Sequence, residues 1–341
     1  MARKTLYERV QAADAVGRRL VAPLLGFPGV RLVGSTVKLA QQNHGEHFKA
    51  IKEICETFSP DLTFPLMDLS VEANALGRYT LFPKEESAVV PADSYSVEEL
   101  VAQARINIAF DSRLSGYVET MKLMSLGLPA NILRGAYVTG PYSLAALMMG
   151  ADEAAMATVL NTEELTQICE FATERIQEYI RLLIVAGAQV ICILEPSAVM
   201  LGPDQFEQFS AAYVRYINDS CKYTSVATIY HTCGNTMHLI DKMVQSGVDA
   251  ISLDAAAAGV DLPTVASALP ADVIVMGNIN PIGTLLHGSP DAVEAETTEL
   301  LDSMAEHPNF VLSTGCDIPQ ETPVGNILAF MRAGRRFHAK A

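Results

Sequence analysis

Residues 226–254, VATIYHTCGNTMHLIDKMVQSGVDAISLD, contain the pattern that decides the fold. An apolar, β-rich run at Val226–Tyr230 leads through a Gly-containing loop into a helix-period segment at Met237–Ser246. Gly247 separates that segment from a second β-rich run at Ala250–Leu253. A strand, a helix and a strand in this order predict a βαβ unit with two parallel strands.

The same alternation continues on both sides of this unit. Further β-rich runs are predicted at Gln189–Leu194, Val273–Met276 and Phe310–Ser313, with less regular ones at Asp61–Leu66 and Ala136–Val138. Helix-period segments separate them at Thr162–Ala186, Gln205–Ser220, Leu262–Leu269 and Asp291–His307. A chain of 341 residues without a low-complexity linker fits one domain of this kind. We therefore predict an α/β protein with a single (β/α)8 TIM barrel and an N-terminal helical extension.

The first half of the chain is less regular. Residues 1–60 are predicted to form an N-terminal helical cover of the barrel, and residues 61–341 to form the barrel itself. The segment Leu81–Ser96 carries several turn signals and charges, so we expect it to leave the barrel.

Composition and charge limit the partners and the location of the protein. The net charge of −15 argues against nucleic acid, because phosphate binding needs clustered Lys and Arg. The chain has no uninterrupted apolar run near the ~20 residues that a bilayer requires, so we expect no membrane association. The N-terminus lacks the apolar segment of a signal peptide. Six scattered Cys then favour a reduced, cytoplasmic setting over a disulfide framework.

Polar residues that can carry chemistry follow the predicted strands at their C-terminal ends. They are Glu195, His231, Cys233, Asp254, Asn278 and Cys316. In a (β/α)8 barrel these strand ends meet at one rim, where catalytic residues are found. Residues far apart in the sequence are therefore expected to converge.

Three of these residues suit a metal ion. His231 and Cys233 are two apart on an extended segment, so both side chains can face one ion, and Cys316 arrives from another strand end. Two thiolates and one imidazole favour zinc, and three protein ligands with one exchangeable position are typical of a catalytic site. Asp254 is a candidate for the fourth, displaceable position. Coordination would convert a bound thiol to a thiolate at neutral pH.

Several motifs also resemble a known family. The motifs are HTCGNT at 231–236, LSTGCDIP at 312–319, GPYSLA at 140–145 and GNINP at 277–281. They are similar to segments of the methylcobalamin:coenzyme M methyltransferases, within the uroporphyrinogen decarboxylase superfamily. The resemblance extends over roughly residues 130–335 and implies a (β/α)8 barrel.

The resemblance implies a reaction and its cofactors. A zinc-bound thiolate would attack a methyl group on the cobalt of a corrinoid (methylcobalamin), which a separate corrinoid protein would present at the barrel mouth. His231, Cys233 and Cys316 would hold Zn²⁺, and Tyr142 and Asn278 are candidates for cofactor binding.

Two carboxylates depart from the family pattern. Asp254 stands where the family has Glu, and Glu195 stands where relatives often have Asp. Glu195 is thus a candidate metal ligand, a substrate-orienting group or a partner of His231, and equally a structural carboxylate bonded to a neighbouring loop.

Three other functions compete with transfer to a thiol. In the first, zinc activates a methoxylated or methylated-amine donor, which passes its methyl group to cob(I)alamin. The second is a uroporphyrinogen decarboxylase-like reaction. The decarboxylases have an Arg-Gln-Ala-Gly-Arg-Tyr segment, of which this chain retains only Ala75-Leu76-Gly77-Arg78-Tyr79, and they need no metal. The third is a structural metal-binding barrel without catalysis.

Overall fold

The computed structural model describes residues 5–92, 96, 99 and 108–339. Within them, eight parallel strands form one sheet in the order β1-β8-β7-β6-β5-β4-β3-β2. The strands are Leu20–Val21 (β1), Leu62–Thr63 (β2), Leu133–Thr139 (β3), Val190–Leu194 (β4), Ala227–Thr232 (β5), Ala250–Leu253 (β6), Ile274–Ile279 (β7) and Phe310–Thr314 (β8). Helices surround this sheet, so the predicted (β/α)8 barrel is confirmed.

One or more α-helices lie between successive strands, one precedes β1 and one follows β8. They are Thr5–Asp14 (α1), Phe27–Leu32 (α2), Val37–Gln42 (α3), His44–Phe58 (α4), Val71–Ala75 (α5), Ser112–Gly127 (α6), Pro141–Met149 (α7), Ala151–Leu160 (α8), Thr162–Ala186 (α9), Pro203–Phe206 (α10), Ala212–Cys221 (α11), Ile240–Gln245 (α12), Leu262–Ala268 (α13), Thr284–His287 (α14), Pro290–Ser303 (α15) and Val324–Arg336 (α16). Short 3₁₀ turns lie at Ile108–Phe110, Pro196–Met200 and Ala256–Ala258, and a π-helical turn lies at Glu207–Ala211.

One aspartate closes the barrel between its first two strands. The backbone N–H of Asp61 donates to the carbonyl of Val21 at 2.9 Å, and the N–H of Val21 donates to the Asp61 carboxylate at 2.8 Å. The same carboxylate pairs with Arg18 at 2.8 Å. Asp61 thus substitutes for a longer strand ladder where β1 and β2 have only two residues each.

The second half of the chain folds as its periodicity predicts. The five β-rich runs between residues 189 and 313 become β4 to β8, with ends that shift by a few residues. The helix predicted at Gln205–Ser220 is divided into α10, the π-helical turn and α11. The extra residue of a π turn changes the helical register at Ser210.

In the first half of the chain, the observed elements differ more from the predicted ones. Strand β1 lies inside the 1–60 segment, which therefore supplies a barrel strand as well as helices. A strand of two paired residues is too short to show alternation in the sequence. In the predicted excursion, Leu81 and Val89 form an isolated antiparallel bridge, and the part beyond residue 92 falls largely outside the described residues.

The core has two layers, inside and outside the strands. Alternate residues of each strand fill the barrel interior, including Leu62, Leu133, Ile229, Ile274 and Val311. A larger cluster fills the space between the strands and the surrounding helices. The interior is therefore packed by side chains and is not a pore, as is usual for eight strands.

Helix α1 covers the end of the barrel at which the strands begin. Its buried residues Leu6, Val10 and Ala13 belong to the interior cluster. The N–H of Thr5 donates to Ser225, just before β5, at 3.0 Å, and the Arg9 guanidinium donates to Asn131, just before β3. The N-terminal cover thus leaves the opposite rim open.

No single helix in the described ranges is long and apolar enough to cross a membrane. The bent pair α7 and α8 passes the same length and composition test only when taken together, with an angle of 110° between the two helices. Most of α7 is buried within the protein.

Removing side-chain volume from α1 should destabilise the whole barrel. Leu6 is fully buried in the interior cluster, so Leu6→Ala should lower the free energy of unfolding by about 2–5 kcal/mol in urea titrations. The exposed neighbour Glu8 is the matched control, and Glu8→Ala should change stability by less than about 0.5 kcal/mol. Equal effects of both substitutions would contradict the role assigned to α1.

Candidate metal centre

Three ligand atoms converge at the open rim of the barrel. His231 lies in β5, Cys233 follows that strand directly, and Cys316 follows β8. Their ligand atoms all lie within 4.8 Å of one another. The Cys233 Sγ is 3.3 Å from His231 Nε2 and 3.3 Å from Cys316 Sγ. The two strands are not neighbours in the sheet, so their ends come together across the barrel mouth.

The donor set and its spacing fit a tetrahedral zinc ion. With Zn–S bonds of about 2.3 Å, two sulfurs of a tetrahedral site lie about 3.8 Å apart. The observed separation of 3.3 Å needs only a small outward movement to accept the ion. His231 is buried, whereas both Cys are partly exposed, so a fourth ligand can approach from the solvent side.

At Cys316, protein groups alone do not favour a thiolate. The hydrogen bond with Cys233 raises the pKa of the Cys316 thiol well above its usual range, and burial adds to the effect, while His231 acts in the opposite direction. A divalent cation would reverse this balance, because coordination deprotonates a thiol.

Ser252 fixes the orientation of the His231 ring. The Ser252 Oγ lies 3.0 Å from Nδ1 of His231, while Nε2 faces Cys233. A neutral imidazole that gives Nε2 to a metal carries its proton on Nδ1 and donates it to such an oxygen. Ser252 lies in β6 and Asp254 directly follows that strand, two residues later, so strand alternation predicts that both side chains face the same side.

Asp254 lies between the loops that carry Cys233 and Cys316. Its Oδ2 accepts the N–H of Gly234 at 2.7 Å, and its Oδ1 accepts the N–H of Ala255 at 2.6 Å. A Cβ built on Gly315 would lie 3.0 Å from Oδ1 and 2.4 Å from the Ala255 nitrogen, so the Cys316 loop needs glycine for this close approach. Both oxygens are thus engaged by backbone, and Asp254 is not one of the clustered ligand atoms.

Glu195 lies at the beginning of α7 and not beside the ligand atoms. Its oxygens accept the N–H groups of Tyr142 at 3.0 Å and Ser143 at 2.8 Å, and Ser210 donates to it at 2.8 Å. The π-helical turn contains Ser210 and so brings this hydroxyl to the carboxylate. Burial raises the pKa of Glu195, and the hydrogen bonds oppose that shift. Among the roles predicted for Glu195, this position fits that of a structural carboxylate bonded to a neighbouring segment.

The two predicted cofactor-binding residues have structural partners. The side chain of Tyr142 packs in the layer between strands and helices. Asn278 donates to the carbonyls of Asp254 at 3.0 Å and Val260 at 3.4 Å, and so supports the loop after β6. It also lines a cavity of ≈ 620 Å³ on the flank of the rim, which none of the three ligand residues lines.

A second buried carboxylate, Glu72, was not identified from the sequence. It accepts the N–H of Thr139 at 2.8 Å and the Thr139 hydroxyl at 2.9 Å, and so ties α5 to the end of β3. Burial raises the pKa of Glu72 to about 7, while the bonds from Thr139 act against the shift. Nothing in its local sequence, Ser-Val-Glu-Ala, distinguishes it from an exposed helix residue.

Loss of the Ser252 hydroxyl should weaken metal binding. Without it the His231 ring loses the partner that fixes its orientation, so Ser252→Ala should lower the affinity for Zn²⁺ by about 10–100-fold in competition with a chelator. The control is Ser267→Ala, which removes a hydroxyl that donates to a helix carbonyl on the surface. An unchanged affinity in Ser252→Ala would contradict the orientation proposed for His231.

Glu72 should make stability depend on pH. Because its folded pKa of about 7 lies above the ordinary value of 4.5, its stabilising effect is complete below pH 4.5 and is lost as the pH rises through 7. Glu72→Gln stays neutral, and its amide can donate to the Thr139 hydroxyl, which in turn donates to Leu69 at 3.2 Å. Urea titrations should therefore show the variant gaining about 2–3 kcal/mol on the wild type between pH 5 and pH 8.

The exposed carboxylate Glu8 provides the control for this measurement. Glu8→Gln should follow the wild-type stability curve at every pH. If Glu72→Gln also runs parallel to the wild type, Glu72 is already ionised at pH 5 and the assigned shift is wrong.

Comparison with known proteins places the chain in one family with two named activities. The sequence matches the family described as uroporphyrinogen decarboxylase (URO-D) over residues 31–337. A methylcobamide:CoM methyltransferase of Methanosarcina mazei is 27% identical over 259 residues, which cover 74% of this chain and 73% of that protein. A uroporphyrinogen decarboxylase of Parasynechococcus marenigrum is 31% identical over 317 residues, or 91% of this chain and 86% of that protein.

The fold has a solved counterpart. A methyltransferase from Methanosarcina mazei matches with a TM-score of 0.87 at 23% sequence identity, over 98% of this chain and 99% of that one. At this identity the likeness supports the fold alone. The family match covers nearly the whole barrel, from the helices after β1 to the last helix. The chain therefore belongs to the uroporphyrinogen decarboxylase family.

Proposed function

We propose that this protein is a methyltransferase that moves a methyl group between a corrinoid, carried on a partner protein, and a small thiol. The observation that carries the proposal is the convergence of one imidazole and two thiols at the open rim of the barrel. The names of several relatives, methylcobamide:CoM methyltransferases, support this choice within the family.

His231, Cys233 and Cys316 would hold a zinc ion at this rim. Bound there, Zn²⁺ would supply a thiolate nucleophile at neutral pH, because coordination lowers the pKa of a thiol. The protein's own groups then have separate tasks. Ser252 holds the His231 ring with Nε2 toward the sulfurs, and the Asp254 carboxylate keeps the Gly234 loop close to the Cys316 loop.

The fourth position would be taken by the substrate and not by a carboxylate. For Asp254 to coordinate, it would have to give up backbone bonds of 2.7 and 2.6 Å. Glu195 would have to leave the amide groups at the beginning of α7. We therefore assign Asp254 to positioning of the ligand loops and Glu195 to positioning of α7.

Decarboxylation of uroporphyrinogen is supported by the 31% identity to a named decarboxylase, but the site favours methyl transfer. Of the segment with which decarboxylases grip substrate carboxylates, this chain retains Arg78. That side chain is buried and donates to the carbonyls of Leu147 at 3.0 Å and Pro91 at 3.2 Å. It serves the fold, and the His and two Cys ligands would have no role in a metal-free decarboxylation.

The test combines metal content with demethylation of methylcobalamin. The purified protein should contain one zinc per chain and should demethylate free methylcobalamin when a thiol is added, which changes the visible absorption. Cys316→Ser should lose the metal and lower the rate by more than about 100-fold, beyond the loss expected for an outer partner of a ligand. Cys55→Ala, at a buried Cys in α4, should keep both metal and activity.

Two results would contradict the proposal. Decarboxylation of uroporphyrinogen by a metal-free preparation would assign the protein to the other branch of the family. Methylation of cob(I)alamin by a methoxylated or methylated-amine donor, without any requirement for thiol, would show that the protein transfers methyl groups from a substrate to the corrinoid.

A further inference from the structure

The thiols of Cys233 and Cys316 lie close enough to react with each other. Their Sγ atoms are 3.3 Å apart, although the two residues are separated by 83 positions in the chain. This distance falls between the about 2.05 Å of a disulfide bond and the about 3.8 Å expected for two sulfurs on one tetrahedral zinc ion. Each sulfur therefore has to move by only roughly 0.6 Å to form a bond with the other.

These two thiols are also the accessible ones. The chain has six Cys, all of them within the described residues. Cys233 and Cys316 are partly exposed. The other four are buried, namely Cys55, Cys169, Cys192 and Cys221. Because exchange between thiols and disulfides requires access to the attacking sulfur, an external oxidant reaches this pair in preference to the rest.

The protein holds the two thiol loops together through contacts of its own. The Asp254 carboxylate accepts the N–H of Gly234, the residue after Cys233, at 2.7 Å. Its Oδ1 would lie 3.0 Å from a Cβ built on Gly315, the residue before Cys316. Both loops thus pack on one side chain, so the closeness of the two sulfurs does not depend on a bridging ion.

We propose that Cys233 and Cys316 form a reversible disulfide that competes with the metal for the same two sulfurs. This inference rests on the proposed function in one respect, since it takes these two residues and His231 to hold zinc in the reduced chain. Zinc binds the thiolate form of Cys, which a disulfide no longer offers. The oxidised chain therefore keeps only His231 of the three candidate ligands, and oxidation releases the ion.

The oxidant is a small disulfide, RSSR, and the reaction balances in two exchange steps. In the first step the Cys233 sulfur attacks one sulfur of RSSR, which forms a mixed disulfide and expels the other half as RS⁻. The Nε2 atom of His231, 3.3 Å from the Cys233 sulfur, takes the thiol proton and returns it to RS⁻, which leaves as RSH.

In the second step the Cys316 sulfur attacks the Cys233 sulfur and breaks the mixed disulfide. The remaining RS⁻ takes the Cys316 proton and leaves as a second RSH. Two protein thiols are thus oxidised to one disulfide, and one RSSR is reduced to two RSH.

The position of the pair favours a labile disulfide over a structural one. Disulfides that external thiols can reach are the readily reduced ones, and they include those with regulatory roles. The bond would link the loops after β5 and β8, and each of these strands is already fixed by its own ladder to a neighbouring strand. The fold therefore does not need the bond, and excess thiol should reverse it.

The test treats metal-free and zinc-loaded protein with bis(2-hydroxyethyl) disulfide and counts free thiols after denaturation. Metal-free protein should fall from six thiols to four and lose about 2 Da, the mass of two hydrogens. Mapping of unreduced peptides should show Cys233 joined to Cys316. Zinc-loaded protein should react at least about 10-fold more slowly, because the ion occupies both sulfurs, and should release zinc to a coloured chelator in step with the loss of thiols.

Two variants identify the pair, both in the metal-free form. Cys316→Ser lacks the second sulfur, so its reaction should stop after the first step and leave one hydroxyethylthio group on Cys233. Cys55→Ala, the matched control at a buried Cys, should lose two thiols at the wild-type rate. In the wild type, excess 2-mercaptoethanol should restore all six thiols and the capacity to bind zinc.

The outcomes distinguish this inference from the proposed function. Metal-free protein that keeps six thiols, stops at a mixed disulfide or links Cys233 to another Cys overturns the inference, even if the zinc-loaded protein demethylates methylcobalamin. Equal rates of oxidation with and without zinc also overturn it. A disulfide from which zinc protects supports the inference even if no methyl transfer to a thiol is observed.

Discussion

The parallel direction of all eight strands is the constraint on which the site depends. Because every strand runs the same way, residues that follow β5, β6 and β8 in the sequence arrive at one rim. The ladder between β7 and β8 pairs Ile279 with Thr314, which sets the height at which Cys316 emerges. On the other side, Leu194 of β4 pairs with His231. The opposite end is covered by α1, so the ligand atoms lie at the end that remains open.

Buried carboxylates hold this rim together. Glu72 bonds to the end of β3, Glu195 to the beginning of α7, and Asp254 to the loop after β5. Each accepts backbone N–H groups that have no partner in a strand ladder or a helix, which satisfies donors at the strand-to-helix junctions. Burial opposes ionisation of Glu72 and Glu195, as their raised pKa values indicate. The rim is therefore stabilised by hydrogen bonds to these carboxylates, and burying the carboxylates away from water opposes part of that stabilisation.

The bonding of these carboxylates indicates which polar groups at the rim are free to contact a metal or a substrate. A side chain whose oxygens are all engaged by backbone can position a neighbour but is poorly placed to bind a substrate. By this criterion we assign positioning roles to Asp254 and Glu195, whereas the candidate ligand atoms of His231, Cys233 and Cys316 face one another and both Cys are partly exposed.

The sequence by itself determined the fold class, the rim and the three candidate ligand residues that meet there. Strand periodicity and the spacing of His231 and Cys233 are local properties, and the position of Cys316 follows from where its strand ends. Only the tertiary structure decided which partner each polar group has. Glu195 meets an amide group 53 residues away in the chain, and Ser252 meets a ring 21 residues away. Such pairings depend on distances between separate elements to within an ångström, and no local pattern of residues encodes them. The short strand β1 was not predicted for a related reason. It is defined by its pairing with β8, which lies far away in the sequence.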